Sequence, residues 1–250
     1  MIIRKSDRDI EKMKIAGRVC YDVLEEVGNK IKEGMSTLEV DEICERVCRQ
    51  DDAVPAFKGL YGFKYSACVS VNDEVIHGIP SSKRILKNGD LVSVDFGAFK
   101  QGYNGDSTRT YIVGGKSSKI GEELCRVTRE ALYAGIDKCV IGNRLGDVSN
   151  TIQQYCESRG FYIVKEYVGH GIGKNIHEDP NVPNYGRKGT GVRLCEGLAL
   201  AIEPMVNAGT ARIELLPDNW TVVTEDGSLA AHWEHTVVIT ADGPIITTDI

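Results

Sequence analysis

Three carboxylates stand at the ends of short apolar runs and a fourth in a small polar stretch. Asp95 ends Leu-Val-Ser-Val-Asp, Asp106 sits in Asn104-Gly105-Asp106-Ser107, Glu203 closes Leu-Ala-Leu-Ala-Ile, and Glu234 precedes His-Thr-Val-Val-Ile. Asp95 and Asp106 are eleven residues apart, a spacing suited to adjacent strands joined by a turn at Gln101-Gly102. A buried acid at a strand end needs a partner, and nearby Lys or Arg are few. The five histidines fall in three short segments, His77 beside Gly78, His170 and His177 in a Gly-rich stretch, and His232 with His235 around Glu234. Four carboxylates and one imidazole in one place carry about four negative charges, which a low-dielectric interior does not leave unpaired. Two divalent cations neutralise them. An oxygen-rich set with one nitrogen suits hard-to-borderline ions, and the implied chemistry is hydrolysis of an acyl bond.

The elements that must position these groups follow from periodicity. Met13, Ala16, Cys20, Val23, Leu24, Val27 and Ile31 form one face of a helix over 9–32, and Ser36-Thr37-Leu38-Glu39 caps a second helix running to about Arg49. Strand-like runs follow at 67–71, 91–96 and 108–113. The order then begins again, with helices over 119–140 and 147–157 and strands at 161–164, 198–202 and 236–239. A shift of 108 positions lays Leu24 on Leu132, Gly34 on Gly142, Cys48 on Cys156 and Asp95 on Glu203. The chain therefore reads as an α+β fold, a single catalytic domain over 1–250 built from two pseudo-symmetric halves at about 9–113 and 117–240, with the site at their junction.

Composition bounds the function. A net charge of −6 argues against a broad nucleic-acid or anionic-membrane footprint. The eight cysteines are scattered through apolar runs without a CxxC, which suits reduced, buried thiols. The opening MIIRKSDRDIEKMK has no apolar core and no apolar stretch approaches a membrane span, so a cytoplasmic location is expected, with no membrane and no specific nucleic acid as partners. Basic residues at Arg4, Lys5, Arg8, Lys12, Lys14 and Arg18 offer a surface for transient ribosome contact, although such a run is most often a solvated helix face.

Several ordered motifs resemble a known family, the type I methionine aminopeptidases of the pita-bread (creatinase/aminopeptidase) fold. They are Asn72-x-x-x-x-His77-Gly78-Ile79-Pro80, Asp95-Phe96-Gly97 with Gly105-Asp106, Gly169-His170-Gly171-Ile172-Gly173 with His177-Glu178, Ile202-Glu203-Pro204-Met205, and Glu234-His235-Thr236. The resemblance implies a central antiparallel sheet and metal ligands Asp95, Asp106, His170, Glu203 and Glu234, with Asp106 and Glu234 bridging two divalent ions. Mn, Fe or Co are the candidates, with Zn as a further one. It also implies Glu203 as general base, His77 and His177 against the substrate backbone and the tetrahedral intermediate, and Phe63, Cys68 and Trp220 lining a methionine pocket. The substrates it implies are the N-termini of nascent polypeptides with a small second residue. Leu60, Tyr61, Lys64, Tyr65, Ala201 and His232 depart from the family pattern, His232 standing where Gln is usual. Two other readings keep the fold, an Xaa-Pro aminopeptidase or prolidase, which Asp106-Ser107-Thr108-Arg109-Thr110 also resembles, and a non-catalytic binding protein, whose usual mark is loss of metal ligands.

Overall fold

Ser6 opens the first helix: its hydroxyl accepts the Asp9 N–H and the Asp9 carboxylate accepts the Ser6 N–H at 3.0 Å. This reciprocal cap starts α1 (Asp7–Lys30) two residues before the sequence expectation. The helix stops at Lys30 because Ile31 turns to an extended conformation and packs on the core. α2 (Thr37–Gln50) begins with the expected cap between Ser36 and Glu39. In the computed structural model, which describes residues 2–249, positions 1 and 250 of the expected single unit lie outside the described residues. α3 (Lys119–Ile136) ends four residues short of Val140, because a turn with Cys139 N–H bonded to the Ile136 carbonyl buries the Cys139 side chain without further helix. α4 (Leu145–Glu157) starts after Arg144, whose N–H donates to Asp147.

Nine strands form the main sheet: β1 (Val54–Pro55), β2 (Cys68–Val71), β3 (Leu91–Lys100), β4 (Tyr103–Ile112), β5 (Gly169–Gly171), β6 (Glu178–Val182), β7 (Ala199–Ile202), β8 (Glu234–Thr240) and β9 (Gly243–Ile246). Their order is β1-β3-β4-β8-β7-β5-β6, with β2 also on β3 and β9 on β8, and every pairing is antiparallel. The run expected at 161–164 forms only Tyr162–Ile163, in a separate sheet with Met205–Asn207 and Ala230–His232. α1 and α2 pack on one half of the sheet around Val23, Leu24, Val92 and Phe96, while α3 and α4 cover the other around Leu124, Leu132, Ile152 and Leu200. A third apolar cluster, with Met13, Phe63 and Cys68 from the first half and Ile172, Ala199 and Val238 from the second, lies where the halves meet. All eight cysteines are unpaired and seven are buried.

We propose that the two halves are pseudo-repeats, on the support of contacts that recur at the same shift of 108. The isolated bridge Ser36 to Ile85 has its counterpart in Arg144 to Arg193. The bond from Leu86 N–H to Met35 recurs from Leu194 N–H to Asn143, the helix caps Ser36 with Glu39 and Arg144 with Asp147 correspond, and β3 and β7 begin at Leu91 and Ala199. The loop glycines Gly34 and Gly142 both hold positive φ, 86° and 101°.

Gly17 and Gly105 set how closely α1 lies on β4. A Cβ on Gly105 would stand 2.8 Å from Gly17 Cα, and one on Gly17 would stand 2.0 Å from the Thr247 carbonyl oxygen. Because Gly105 adjoins Asp106, this contact fixes the helix to the strand that carries a candidate ligand. Gly17→Ala is expected to lose about 3 kcal/mol by overpacking, lowering the thermal midpoint by about 9 °C. Calorimetric unfolding measures this, and an unchanged midpoint would refute the close contact.

Candidate active site

The hairpin of β3 and β4 turns at Gln101-Gly102, where both residues have positive φ, 52° and 84°. Its register sets Asp95 opposite Thr108 and Asp106 opposite Gly97, which places the two acids diagonally on one face. β8 adds Glu234 opposite Thr108, and β5 sets His170 opposite Ala201, next to the end of β7 that leads into Glu203. Strand alternation sends Glu234 to the site and His235 away from it. The His235 ring lies instead 2.9 Å from the Thr248 hydroxyl and 3.1 Å from that of Tyr133.

Ligand atoms of Asp106, His170 and Glu234 all lie within 4.8 Å of one another. His170 Nε2 is 3.6 Å from Asp106 Oδ2 and 3.7 Å from Glu203 Oε1. The Thr108 hydroxyl is 2.9 Å from both Asp95 Oδ1 and Glu234 Oε2. One hydroxyl proton satisfies only one of these carboxylates. Moreover, Asp106 Oδ1 and Glu234 Oε1 are buried with no hydrogen-bond partner among the described residues. Buried carboxylate oxygens without a donor, on acids whose ligand atoms cluster with that of His170, fit a bound divalent cation, which pairs with lone pairs that no donor among the described residues reaches.

The electrostatics point the same way. Burial, reinforced by Asp106 and Glu203, pushes the Asp95 carboxyl well above the usual carboxylate range, and burial with Asp106, Glu203 and Asp95 does the same to Glu234. Without a cation, burial and mutual repulsion shift both acids toward their protonated forms. The His170 ring feels burial, which favours its neutral form, yet Asp106 and Glu203 outweigh it and lift the imidazole to about 9. Its Nδ1 donates to the Gly171 carbonyl at 2.8 Å, which aims Nε2 at the acids and leaves that atom to a cation when one displaces its proton.

Around the acids lies a cavity of about 660 Å³. All ten residues singled out in the sequence, Phe63, Cys68, His77, Asp95, Asp106, His170, His177, Glu203, Trp220 and Glu234, line it. Phe63 and Trp220 pack with ring centroids 5.1 Å apart, and Trp220 meets His77 edge-on at 6.2 Å. His77 adopts φ 59°, and Gly78 behind it sits so close to Val69 that a Cβ would be 2.3 Å from that carbonyl oxygen. Such left-handed backbone at a non-glycine residue costs about 1–3 kcal/mol and persists where the surroundings over-determine it. Burial pulls the His77 imidazole down to about 4, so at neutral pH it is uncharged. Burial, then His170, also lowers His177. Burial, with Asp95 and Asp106, keeps the Cys68 thiol protonated.

Among the departures, Leu60 and exposed Tyr61 line the cavity, with the Tyr61 ring stacked 6.4 Å from His177. Tyr65 meets Phe63 edge-on at 5.8 Å. Buried His232 places Nε2 3.6 Å from Glu203 Oε2. Sequence reasoning did not single out Phe57, Ile76 or Tyr167 as lining residues, nor the Thr108 hydroxyl between two acids. Thr108 had one signal, the alternation that puts it on the same strand face as Asp106. Tyr167, edge-on to His77 at 5.6 Å, had none.

The pattern of Metallopeptidase family M24 matches residues 11–241. The chain belongs to that family. Its M24 relatives include the methionine aminopeptidase of Clostridium acetobutylicum, 50% identical over 248 residues and 99% of each chain. Methionine aminopeptidase 1 of Bacillus subtilis is 50% identical over 250 residues, the whole of both chains. Among solved structures, the methionine aminopeptidase of Thermotoga maritima superposes with a TM-score of 0.98 at 49% identity, with full coverage of both. A prolidase from Pyrococcus furiosus gives 0.80 at 25% identity, matching 99% of this M24 chain and 66% of its own. The pita-bread fold is thus common to both branches, while sequence identity and full-length correspondence lie with the methionine aminopeptidases. As an M24 metallopeptidase the chain is a hydrolase that uses divalent metal. No helix among its described residues is long and apolar enough to cross a membrane.

Proposed function

We propose that this metallopeptidase removes the initiator methionine from nascent polypeptides whose second residue is small, using two divalent ions drawn from Mn, Fe or Co in the cytoplasm. The observation that carries the reading is the combination of orphaned Asp106 and Glu234 oxygens with an aromatic and thiol pocket in the same cavity. When bound, the cations supply Lewis acidity to the scissile carbonyl and acidify the attacking water. The remaining work belongs to the chain. Asp95, Asp106, His170, Glu203 and Glu234 hold the cations, and Glu203, whose carboxylate faces the cavity between His170 and His232, takes the proton from the water. Neutral His77 donates a hydrogen bond to the substrate backbone, and His177 donates to the oxygen on which charge develops. Phe63, Cys68 and Trp220 surround the thioether, a soft and apolar match to its sulfur.

Trp220→Ala removes the ring that closes this pocket against Phe63. It is expected to raise KM for Met-Ala-Ser about tenfold, with a smaller change in kcat, as steady-state kinetics with metal-loaded protein would show. An unchanged KM would place the methionine side chain elsewhere. The proline-specific alternative is tested by the same peptide assay with Ala-Pro-Ala.

A further inference from the structure

The N-terminal segment carries a lysine that the proposed chemistry does not use. Lys5 stands one residue before the cap of α1, yet its ammonium is inside the protein. Lys5 Nζ lies 2.7 Å from Glu178 Oε2, with side-chain exposures of 4% and 6%. It also donates to the Ile3 carbonyl at 3.0 Å, and the Lys5 N–H donates to the Gly197 carbonyl at 2.6 Å. Other basic residues of this stretch lie at the surface, Lys14 paired with Glu11 and Arg18 with Asp22.

Two glycines are shaped around Lys5. A Cβ on Gly173 would stand 2.5 Å from Lys5 Cε, 2.7 Å from its Nζ and 2.8 Å from Glu178 Oε1. One on Gly197 would stand 2.4 Å from the Lys5 carbonyl oxygen. The first of these glycines opens the loop 173–178, which carries His177 into the cavity. The second precedes β7, which leads to Glu203.

The loop is tied at two points. Asn104, two residues before Asp106, holds its first half through its N–H and side-chain amide on the Gly173 carbonyl and its amide on the Lys174 carbonyl. Glu178 holds the second half, because its Oε1 accepts the Asn175 N–H at 3.1 Å while Oε2 accepts Lys5. Ile176 and His177 lie between Asn175 and Glu178, and the His177 ring is edge-on to His170 at 4.5 Å. A buried carboxylate whose cation is removed must be rehydrated or reorient, and this one cannot move without releasing the loop.

We propose that Lys5 is a positioning residue for the hydrolysis: the N-terminal segment threads its ammonium under the loop 173–178, fixes Glu178, and thereby holds His177 at the reacting carbonyl. This inference rests on the function proposed above. Its consequence is that Lys5 belongs to the active-site framework and not to the basic surface formed by its exposed neighbours.

The test is Lys5→Met, which keeps the apolar stem and removes the charge, in full-length protein loaded with Mn²⁺. On Met-Ala-Ser, kcat is expected to fall about tenfold to hundredfold, the scale of a misplaced reacting group, with KM within about twofold. Mn²⁺ affinity by calorimetry is expected to be unchanged, since no candidate ligand is touched. In a His177→Ala background, Lys5→Met should cost little further activity, because the group it positions is gone. The exchange Lys5→Glu with Glu178→Lys should recover part of kcat. If Lys5→Met does not fold, Glu178→Gln carries the same comparison from the other side of the pair. An unchanged kcat in a folded variant, or a loss that multiplies in full with that of His177→Ala, would overturn the inference while leaving the proposed function intact. No cleavage by the unaltered protein would overturn the proposed function itself.

Discussion

Glu203→Gln is expected to lower turnover of Met-Ala-Ser by about 10³-fold or more, the scale of a lost general base, in a protein that still folds. The substitution keeps the shape of the side chain and removes both its ability to accept a proton and the charge it offers as a proposed metal ligand. The carboxylate is held at the end of β7 by its own backbone, whose carbonyl accepts the Asn184 side-chain amide at 2.9 Å. Its two oxygens stand 3.7 Å from His170 Nε2 and 3.6 Å from His232 Nε2. An amide in that place still occupies the gap between the imidazoles, so the loss is chemical and not a collapse of the cavity. Thermal unfolding and single-turnover kinetics on metal-loaded protein separate the two. Turnover within tenfold of the unaltered enzyme would remove Glu203 from the role of base.

The second large effect concerns the metal. Adding Mn²⁺ at about 100 times its dissociation constant to stripped protein is expected to stabilise the fold by about 2.7 kcal/mol per site, raising the midpoint by about 8 °C. Asp106→Asn with Glu234→Gln should abolish this shift. The reason lies in the two buried oxygens that no donor among the described residues satisfies, Asp106 Oδ1 and Glu234 Oε1. Burial and the neighbouring acids raise Asp95 and Glu234 far above the usual carboxylate range, so the site without metal is a strained set of acids that a cation relieves. The amide pair has no such charge to offer. A midpoint that rises equally in the double variant would place the cation at some other position.

Much of this site was legible because its residues are constrained by geometry that leaves a mark in sequence. Asp95 and Asp106 declared a hairpin through their spacing and the Gln101-Gly102 turn, and the register bears this out. Glu203 follows one apolar strand and Glu234 opens another, positions equally open to a solvated acid, and only the fold brings both to one cavity. Helix ends were less legible. α3 stopped at Ile136 because a turn buries Cys139 as well as another helical turn would, and periodicity cannot distinguish the two. The role of the Thr108 hydroxyl depends on three strands meeting in register, and Tyr167 reaches His77 only through tertiary packing. The ion pair of Lys5 and Glu178 spans most of the chain between its partners, so a lysine in a charged N-terminal run looked like a surface residue until the fold enclosed it.

The most direct measurement of the central claim is release of free methionine from Met-Ala-Ser, with Met-Ile-Ser and Ala-Pro-Ala as controls, by protein stripped of metal and refilled with Mn, Fe or Co. The expected result is cleavage of Met-Ala-Ser alone, only after refilling. Cleavage of Ala-Pro-Ala alone, or no cleavage by protein shown to hold the metal, would contradict the account.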